Sequence, residues 1–185
     1  MAYHSITELN PGILVQENLM ERTEMPIPAL DRTDYRILHH LQNDGRLTNL
    51  ELAERIGLSP SPCLRRVRAL EEAGILKRYV GIVDAKSVGL PISAFINVSL
   101  RSQEVGALEV FQQHVGSFPE VMECYLMTGN SDYLLRVVMP DLESYERFLV
   151  EKLTRIPGID NIQTSFALKP VVARTELPLA QASAT

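Results

Sequence analysis

Apolar residues recur with helical spacing between residues 31 and 73, and this pattern predicts three consecutive helices. The first helix carries an apolar stripe made of Tyr35, Ile37, Leu38 and Leu41. We expect Gly45 to end it, since glycine readily adopts the backbone conformation that stops a helix. The second helix is short. Thr48 lies three residues before Glu51, which is the spacing of a capping box, and Gly57 should end the helix.

The third predicted helix turns its positive charge outward. It begins at Pro60, because proline at the first helical position removes no needed donor, and the hydroxyl of Ser59 is expected to cap free amides. Projection at the helical repeat places on the inward face Cys63, Leu64, Val67 and Leu70. The outward face and its flanks carry Ser61, Pro62, Arg65, Arg66, Arg68 and Ala69. Gly74 is expected to end this helix.

A strand is predicted over residues 75–83, with Lys77 and Arg78 at the tip of a small wing. The short second helix, the turn at Gly57 and the arginine-bearing third helix together indicate a helix-turn-helix, whose third helix enters the major groove of DNA. The other interpretation is a solvated arginine face on an ordinary helix. The capped short helix that precedes the turn favours DNA binding.

The second half of the chain alternates between strand and helix periods. Residues 93–100 alternate strictly, so that one strand face carries Ala94, Ile96, Val98 and Leu100. The elements that follow are a helix over 104–118, strands over 121–127 and 133–139, a helix over 142–156 and a strand over 159–171. The helix-to-strand junctions FPEV and IPGI repeat each other. The fold class is therefore α+β, with a ferredoxin-like βαββαβ sandwich whose helices cover one sheet face.

The uncovered sheet face is predicted to be semi-polar, with Phe95, Tyr125 and Phe166 on it. Monomeric proteins rarely leave such aromatic surface exposed. We therefore expect a second subunit to cover this face.

Charge is distributed unevenly along the chain. The formal net charge is −5, yet residues 55–80 contain six Lys and Arg residues against only Glu71 and Glu72. This local excess of four positive charges suits a polyanionic partner. No apolar run reaches the roughly 20 residues of a membrane helix. We therefore expect a cytoplasmic protein without a membrane partner, whose two cysteines are free thiols.

Residues that could support catalysis lack the required arrangement. Metal-ligand spacing is not found among the candidate ligands, which are His39, His40, His114 and Cys124. Cys63 falls on an inward helix face, which favours core packing over reactivity. The aromatic strand motif of ferredoxin-like RNA-binding modules and a phosphate-binding glycine loop are both missing. A metabolite-binding enzyme and an RNA-binding module are therefore the less favoured alternatives, and we expect no catalytic residue, metal or cofactor.

Similarity to a known family lies in three runs: LDRTDYRILHHLQNDGRLTNLELAERIGLSPSPCLRRVRALEEAGILKRY, then TGNSDYLLRV, then LTRIPGI. Together they resemble the Lrp/AsnC family of feast/famine transcription regulators, over residues 30 to about 172. The resemblance implies an N-terminal winged helix-turn-helix, a hinge strand and a C-terminal amino-acid-sensing domain. It also implies dimers that assemble further, often into octamers.

The resemblance also assigns partners and residues. The partners are double-stranded DNA with a palindromic operator and an amino-acid effector. The predicted DNA-binding residues are Thr48, Asn49, Ser59, Ser61, Pro62, Arg65, Arg66, Arg68, Lys77 and Arg78. The predicted effector-binding residues, from a pocket between subunits, are Thr128, Gly129, Asn130, Ser131, Asp132, Ser165 and Phe166.

Two interpretations of the loop at residues 128–132 stay open. Gly129, Asn130 and Ser131 accept left-handed backbone angles, so a hairpin turn alone explains them. In an effector site, the amides around Gly129 suit a carboxylate and Asp132 suits an ammonium group. Asp132 as a plain turn cap is the alternative.

These inferences divide the chain into five predicted segments. They are a flexible arm (1–29), a winged helix-turn-helix domain (30–80), a hinge strand (81–92), an amino-acid-sensing and oligomerisation domain (93–175) and a tail (176–185).

Overall fold

The computed structural model describes residues 29–179. They form two compact units: a helical unit of residues 29–82 together with 171–179, and a sheet unit of residues 83–170. The predicted arm lies outside the described residues except for Ala29. The boundaries of the five predicted segments stay predictions.

Three helices build the helical unit: α1 (Arg32–Asn43), α2 (Asn49–Ile56) and α3 (Pro60–Glu72). The capping box of Thr48 and Glu51 is confirmed, since each side chain accepts a hydrogen bond from the other residue's amide. Gly57 ends α2 in the left-handed conformation, with φ of 69°. Helix α1 ends before Gly45. Its start is fixed by a second capping box, of Asp31 and Asp34, which was not among the predicted helix signals.

Helix α3 begins at Pro60 as predicted, but the prediction for Ser59 is wrong, because its hydroxyl makes no capping hydrogen bond. A capping side chain bonds the amide of the second or third helical residue. The third residue of α3 is Pro62, which has no N–H to donate. The start of this helix therefore depends on proline geometry and on its neighbours.

The core of the helical unit contains the buried residues Ile37, Leu41, Leu52, Ala53, Ile56, Cys63 and Leu70. Cys63 is fully buried, as its inward position predicts, and burial raises the pKa of its thiol. Leu64 was predicted to face the same core and does not. Its side chain is 39% exposed, because its position lies at the edge of the apolar stripe.

The predicted strand over residues 75–83 does not form. Residues 77–84 adopt neither helix nor strand, and the segment makes no ladder with any other described residue. Strand periodicity by itself does not supply the hydrogen-bonding partner that a strand needs. The segment is instead held by Tyr79, whose hydroxyl donates to Glu71 Oε1 at 3.0 Å. Burial and the Glu71 carboxylate raise the pKa of Tyr79 to about 12.

The sheet unit follows the predicted βαββαβ order after a short 3₁₀ turn at Lys86–Val88. Its elements are β1 (Ile92–Leu100), α4 (Val105–Gly116), β2 (Val121–Leu126), β3 (Tyr133–Met139), α5 (Leu142–Arg147) and β4 (Ile159–Phe166). Helix α5 continues as a π-helical segment, Phe148–Lys152, and a 3₁₀ turn, Leu153–Arg155. Side-chain periodicity indicates a helical segment here but does not distinguish these hydrogen-bond patterns.

The four strands form one antiparallel sheet in the order β2-β3-β1-β4, which confirms the ferredoxin-like topology. The inward residues of β1 are buried as predicted and pack against Phe111, Val115, Phe148 and Leu153 of the helical segments. Tyr133 is also buried, stacks on Phe111 with ring centroids 4.4 Å apart, and accepts a hydrogen bond from Gln112. One sheet face is thus covered by helices, and we call the other the open face.

Candidate DNA and effector sites

The exposed side of α3 forms a groove of about 350 Å³, which we call the α3 groove. It is lined by Ser61, Leu64, Arg65, Arg68, Ala69 and Glu72. Within residues 29–179, neither Arg65 nor Arg68 takes part in an ion pair or a hydrogen bond. Two exposed guanidinium groups without a protein partner can bind phosphates or the edges of guanine bases.

Arg66 stands apart from these two arginines. Its Nη1 atom lies 2.7 Å from Asp31 Oδ2 and 2.8 Å from Asp34 Oδ1. These carboxylates belong to the capping box at the start of α1. Their hydrogen bonds and charges raise the pKa of Arg66, and the pKa of Asp31 is lowered, first by the Asp34 amide and further by Arg66. Arg66 therefore fixes α3 against the start of α1, and a DNA contact by Arg66 stays a prediction.

Asn49 also joins elements of the helical unit. Its Nδ2 atom donates to the carbonyl oxygen of Pro60 at 2.8 Å, which connects the start of α2 to the start of α3. Arg36 of α1 donates to the carbonyls of Arg55 and Ile56 at 3.0 and 3.1 Å, at the end of α2. These contacts set the position of α3, and sequence periodicity gave no signal for them.

The remaining predicted DNA-binding residues lie outside the α3 groove. They are Thr48, Ser59, Pro62, Lys77 and Arg78, of which all but Pro62 are exposed. Thr48 uses its hydroxyl in the capping box. Lys77 and Arg78 lie in the segment that forms no strand. The described residues therefore do not form the wing that was predicted to carry these two side chains at its tip. Contact of all five with DNA stays a prediction.

The loop at residues 127–132 is fixed by Asp132. Its main chain accepts from Met127 at 2.8 Å and donates to Val98 at 2.9 Å. Its carboxylate accepts from the Leu100 amide and from Gln103 Nε2, both at 2.7 Å. Gly129 has φ of 117°, as the turn interpretation requires. Asp132 therefore orders the loop, and its effector contact stays a prediction.

A polar depression of about 180 Å³ lies beside this loop on the open face. It is lined by Asn97, Ser99, Asn130, Ser131, Asn161 and Gln163, all of them neutral hydrogen-bonding side chains. Ser131 donates to Asn97 Oδ1 at 3.2 Å, and Ser99 donates to the Asn130 carbonyl at 3.4 Å. Only Asn130 and Ser131 were in the predicted effector set. The alternation of β1 placed Asn97 and Ser99 on this face, but strand pairing was needed to bring Asn161 and Gln163 beside them.

The remaining predicted effector residues do not line the polar depression. Thr128 and Gly129 are exposed in the loop, and Ser165 pairs with Phe95. The prediction that Phe166 lies on the open face is wrong. Phe166 pairs with the inward residue Ala94 and packs edge-to-face on Tyr145 of α5, with ring centroids 4.9 Å apart. Neighbouring strand residues point to opposite faces, so Ser165 and Phe166 cannot share one. Their effector contacts stay predictions.

An ion pair lies on the open face between neighbouring strands. Arg136 Nη2 donates to Glu123 Oε1 at 2.7 Å, and Tyr125 donates to Glu123 Oε2 at 3.2 Å. The hydrogen bond from Arg136 is the main cause that lowers the pKa of Glu123. Phe95 pairs with Arg136 in the adjacent strand, so the face combines aromatic and charged groups.

This ion pair predicts a pH dependence of stability. Because the folded protein holds the pKa of Glu123 below its ordinary value of 4.5, the stabilisation is present above that pH and is lost as pH falls through the lowered pKa. Thermal melts of the wild type and Glu123→Gln should therefore differ most near neutral pH and converge in acid. A difference that grows in acid would contradict this assignment.

Within residues 29–179, no group of three or more His, Cys, Asp and Glu side chains is arranged to hold a metal ion. In the same range, no helix has the length and apolar character to span a membrane. Both cysteines are free, Cys63 buried and Cys124 exposed.

Known protein families match both units. Residues 30–77 match the winged helix-turn-helix DNA-binding model, and residues 93–177 match the Lrp/AsnC ligand binding domain. Among similar proteins, a Bkd operon transcriptional regulator of Pseudomonas aeruginosa is 45% identical over 150 residues, which cover 81% of this chain and 98% of that protein. A leucine-responsive regulatory protein of Rhizobium meliloti is 42% identical over 142 residues, covering 77% and 91%.

Solved structures agree with these matches. A transcriptional regulator from Neisseria meningitidis, determined as a complex with L-Met, superposes with a TM-score of 0.77 at 45% identity and covers 81% of this chain and 97% of its own. An AsnC family regulator from Agrobacterium tumefaciens has the same TM-score at 38% identity, covering 82% and 98%. The helix-turn-helix, the ferredoxin-like sheet and the similarity to these relatives all lead to the same assignment. The chain belongs to the Lrp/AsnC family of DNA-binding transcriptional regulators, which are not enzymes.

Proposed function

We propose that this regulator binds a palindromic operator through the α3 groove and that an amino acid, bound at the loop of residues 127–132, changes this binding. The observation that carries the DNA-binding part is the pair of exposed arginines, Arg65 and Arg68, in one groove on α3. A helix with free guanidinium groups on its outer side matches the chemistry of the major groove, where arginine bonds guanine. As a DNA-binding regulator, the protein acts in the cytoplasm.

The effector part rests on the loop and the polar depression. The exposed turn at Gly129 offers main-chain amides to a carboxylate, and the depression beside it supplies six neutral polar side chains. The complex of the Neisseria meningitidis regulator with L-Met shows that a related fold takes an amino acid. We propose the same class of effector for this chain.

Binding of an amino acid is tested by thermal shift. A ligand that binds only the folded protein raises the melting temperature by mass action. We expect one or a few of the twenty amino acids to raise the melting temperature. An analogue with the same side chain that lacks the α-amino group should have no effect. Uniform melting temperatures across the panel would contradict the effector site.

Regulation is tested by titration of a palindromic operator with and without the amino acid found in that screen. The amino acid changes operator affinity only if it binds one state of the protein, in conformation or in subunit arrangement, better than another. We expect a shift in the operator dissociation constant, with unrelated DNA bound weakly in both conditions. An operator affinity equal to that for unrelated DNA would overturn the proposed function.

We also propose that the open face is a subunit interface, so that dimers form there and assemble further into octamers. Phe95 and Tyr125 are 37% and 52% exposed on this face, beside the Glu123–Arg136 ion pair. Burying them against a second copy removes apolar area from water.

Light scattering during size-exclusion chromatography tests the assembly. We expect the wild type to elute as a multiple of the chain and Phe95→Asp to shift towards the monomer, because the new carboxylate would be buried at the interface. Val110→Asp, on the exposed side of α4, is the matched control and should leave the size unchanged. A wild-type monomer at all concentrations would contradict the interface.

A further inference from the structure

The C-terminal segment 171–179 belongs to the same compact unit as the three DNA-binding helices. It is attached there by Gln42, in the last turn of α1. Gln42 Nε2 donates to the carbonyl oxygen of Leu177, and Gln42 Oε1 accepts from the amide of Leu177, both at 3.0 Å. One side chain thus satisfies both main-chain polar groups of a residue 135 positions later. Gln42 is half-buried, and Leu179 is half-buried as well.

Local sequence prepares the docked conformation. Pro178 follows Leu177 directly, and a residue before proline is restricted to an extended backbone. The amide of Leu179 then donates to the Leu177 carbonyl at 2.9 Å, which closes a tight turn just beyond the docked residue. Because these restraints act before docking, less conformational entropy is lost when the segment binds.

The segment is also a direct continuation of β4. The ladder between β4 and β1 extends to Ala167, whose amide donates to the Ser93 carbonyl at 2.9 Å. Leu177 lies ten positions after Ala167, and ten positions span at most roughly 36 Å when the chain is extended. Strand β4 carries Asn161 and Gln163 of the polar depression. The sheet unit and the helical unit are therefore joined by the chain at two places, between residues 82 and 83 and between 170 and 171.

We propose that residues 171–179 form a strap that docks on α1 through Gln42 and transmits the effector state of the sheet unit to the DNA-binding helices. Helix α1 is held to α3 at its other end by the ion pairs of Arg66 with Asp31 and Asp34. A change at the Gln42 end therefore reaches α3 through one continuous helix. The docked and undocked straps are the two states whose populations the effector shifts.

Docking is tested by hydrogen exchange on the full chain. In Gln42→Ala, exchange of the Leu177 amide should be about tenfold faster than in the wild type, since two neutral hydrogen bonds are removed. Asn43→Ala is the matched control. Among residues 29–179 its side chain donates only to the His39 carbonyl in the same helix, so exchange at Leu177 should not change. Equal exchange in Gln42→Ala and the wild type would overturn the docked strap.

Transmission rests on the proposed function and is tested separately, by operator titration with and without L-leucine or L-methionine. We expect Gln42→Ala and a chain ending at residue 170 to bind the operator without effector within about threefold of the wild type, and to lose most of the amino-acid response. Sizing of both variants shows whether assembly is kept. A full response in Gln42→Ala, with a fast-exchanging Leu177, overturns transmission. A wild type without any response overturns the proposed function itself, while the exchange result still decides docking.

Discussion

Replacing Arg65 with alanine should weaken operator binding by about 1 to 3 kcal/mol, or roughly 5- to 150-fold, without lowering the melting temperature. Arg65 is exposed in the α3 groove and has no ion pair or hydrogen bond within residues 29–179, so its removal costs the folded protein little. If Arg65 contacts a base edge, the loss should depend on one operator position. If it contacts a phosphate, the loss of affinity should be the same for every DNA sequence. The slope of the logarithm of the binding constant against the logarithm of the salt concentration should then be shallower by about one.

Arg66→Ala provides the contrast. The outward helix face predicts similar losses for Arg65 and Arg66, but the structure separates them, because Arg66 is paired with Asp31 and Asp34. Its removal leaves two carboxylates without their cation. We expect it to destabilise the helical unit by roughly 1 to 2 kcal/mol, between the values of exposed and buried pairs, since a third of the Arg66 side chain still faces solvent.

Gel-shift titrations and thermal melts of the two variants distinguish these roles. Arg147→Ala, on α5 of the sheet unit, removes the same charge far from α3 in the sequence and serves as the control. Unchanged operator affinity in Arg65→Ala would overturn the assignment of the α3 groove. A melting temperature of Arg66→Ala equal to that of the wild type would show that its ion pairs do not stabilise the unit.

Substitution of Asp132 should remove the amino-acid response while effector-free operator binding is kept. The carboxylate fixes the loop through the Leu100 amide and Gln103, and the proposed effector ammonium would be a further partner. Asp132→Ala loses both hydrogen bonds and leaves the partly buried Leu100 amide unpaired, which we expect to cost the sheet unit about 1 to 3 kcal/mol. Its loss of response therefore combines loop disorder with loss of charge.

Asp132→Asn separates these two causes. The amide oxygen still accepts from Leu100, so the loop and the melting temperature should be nearly preserved, but the negative charge is gone. We expect this variant to lose the response to the amino acid as Asp132→Ala does. Gln103→Ala, which keeps the carboxylate and removes one of its partners, should respond like the wild type. A full response in Asp132→Asn would show that Asp132 is only a turn residue, and loss of effector-free DNA binding would place the effector site elsewhere.

Strong local signals made much of the fold predictable. Thr48 with Glu51, Gly57 and Pro60 fixed the bounds of two helices, because capping and proline geometry depend on residues a few positions apart. The alternation of β1 identified its buried face for the same reason, since neighbouring strand residues always point to opposite sides. The βαββαβ order then left few topologies, and the ferredoxin-like one was observed.

Tertiary structure decided features that depend on partners distant in sequence. The alternation in residues 75–83 predicted a strand, but a strand needs a neighbour to bond, and no described residue supplies one. Strand β4 was predicted to reach residue 171 and ends at Phe166, since its register with β1 would place Lys169 opposite Pro91, which has no amide to donate. The face of Phe166 was likewise set by its pairing with Ala94.

The candidate sites divide in the same way. The sequence by itself determined that positive charge collects on the outer side of α3, since helical angle and residue type are local properties. Only the tertiary structure decided which arginines are free. Arg66 is engaged because packing brings α3 to the carboxylates at the start of α1, more than thirty residues earlier. Arg65 has no such partner in the described part of the chain, because its direction on the same helix points away from these carboxylates. An ion pair between distant segments leaves no periodic trace along a chain, because each partner alone resembles an ordinary surface charge.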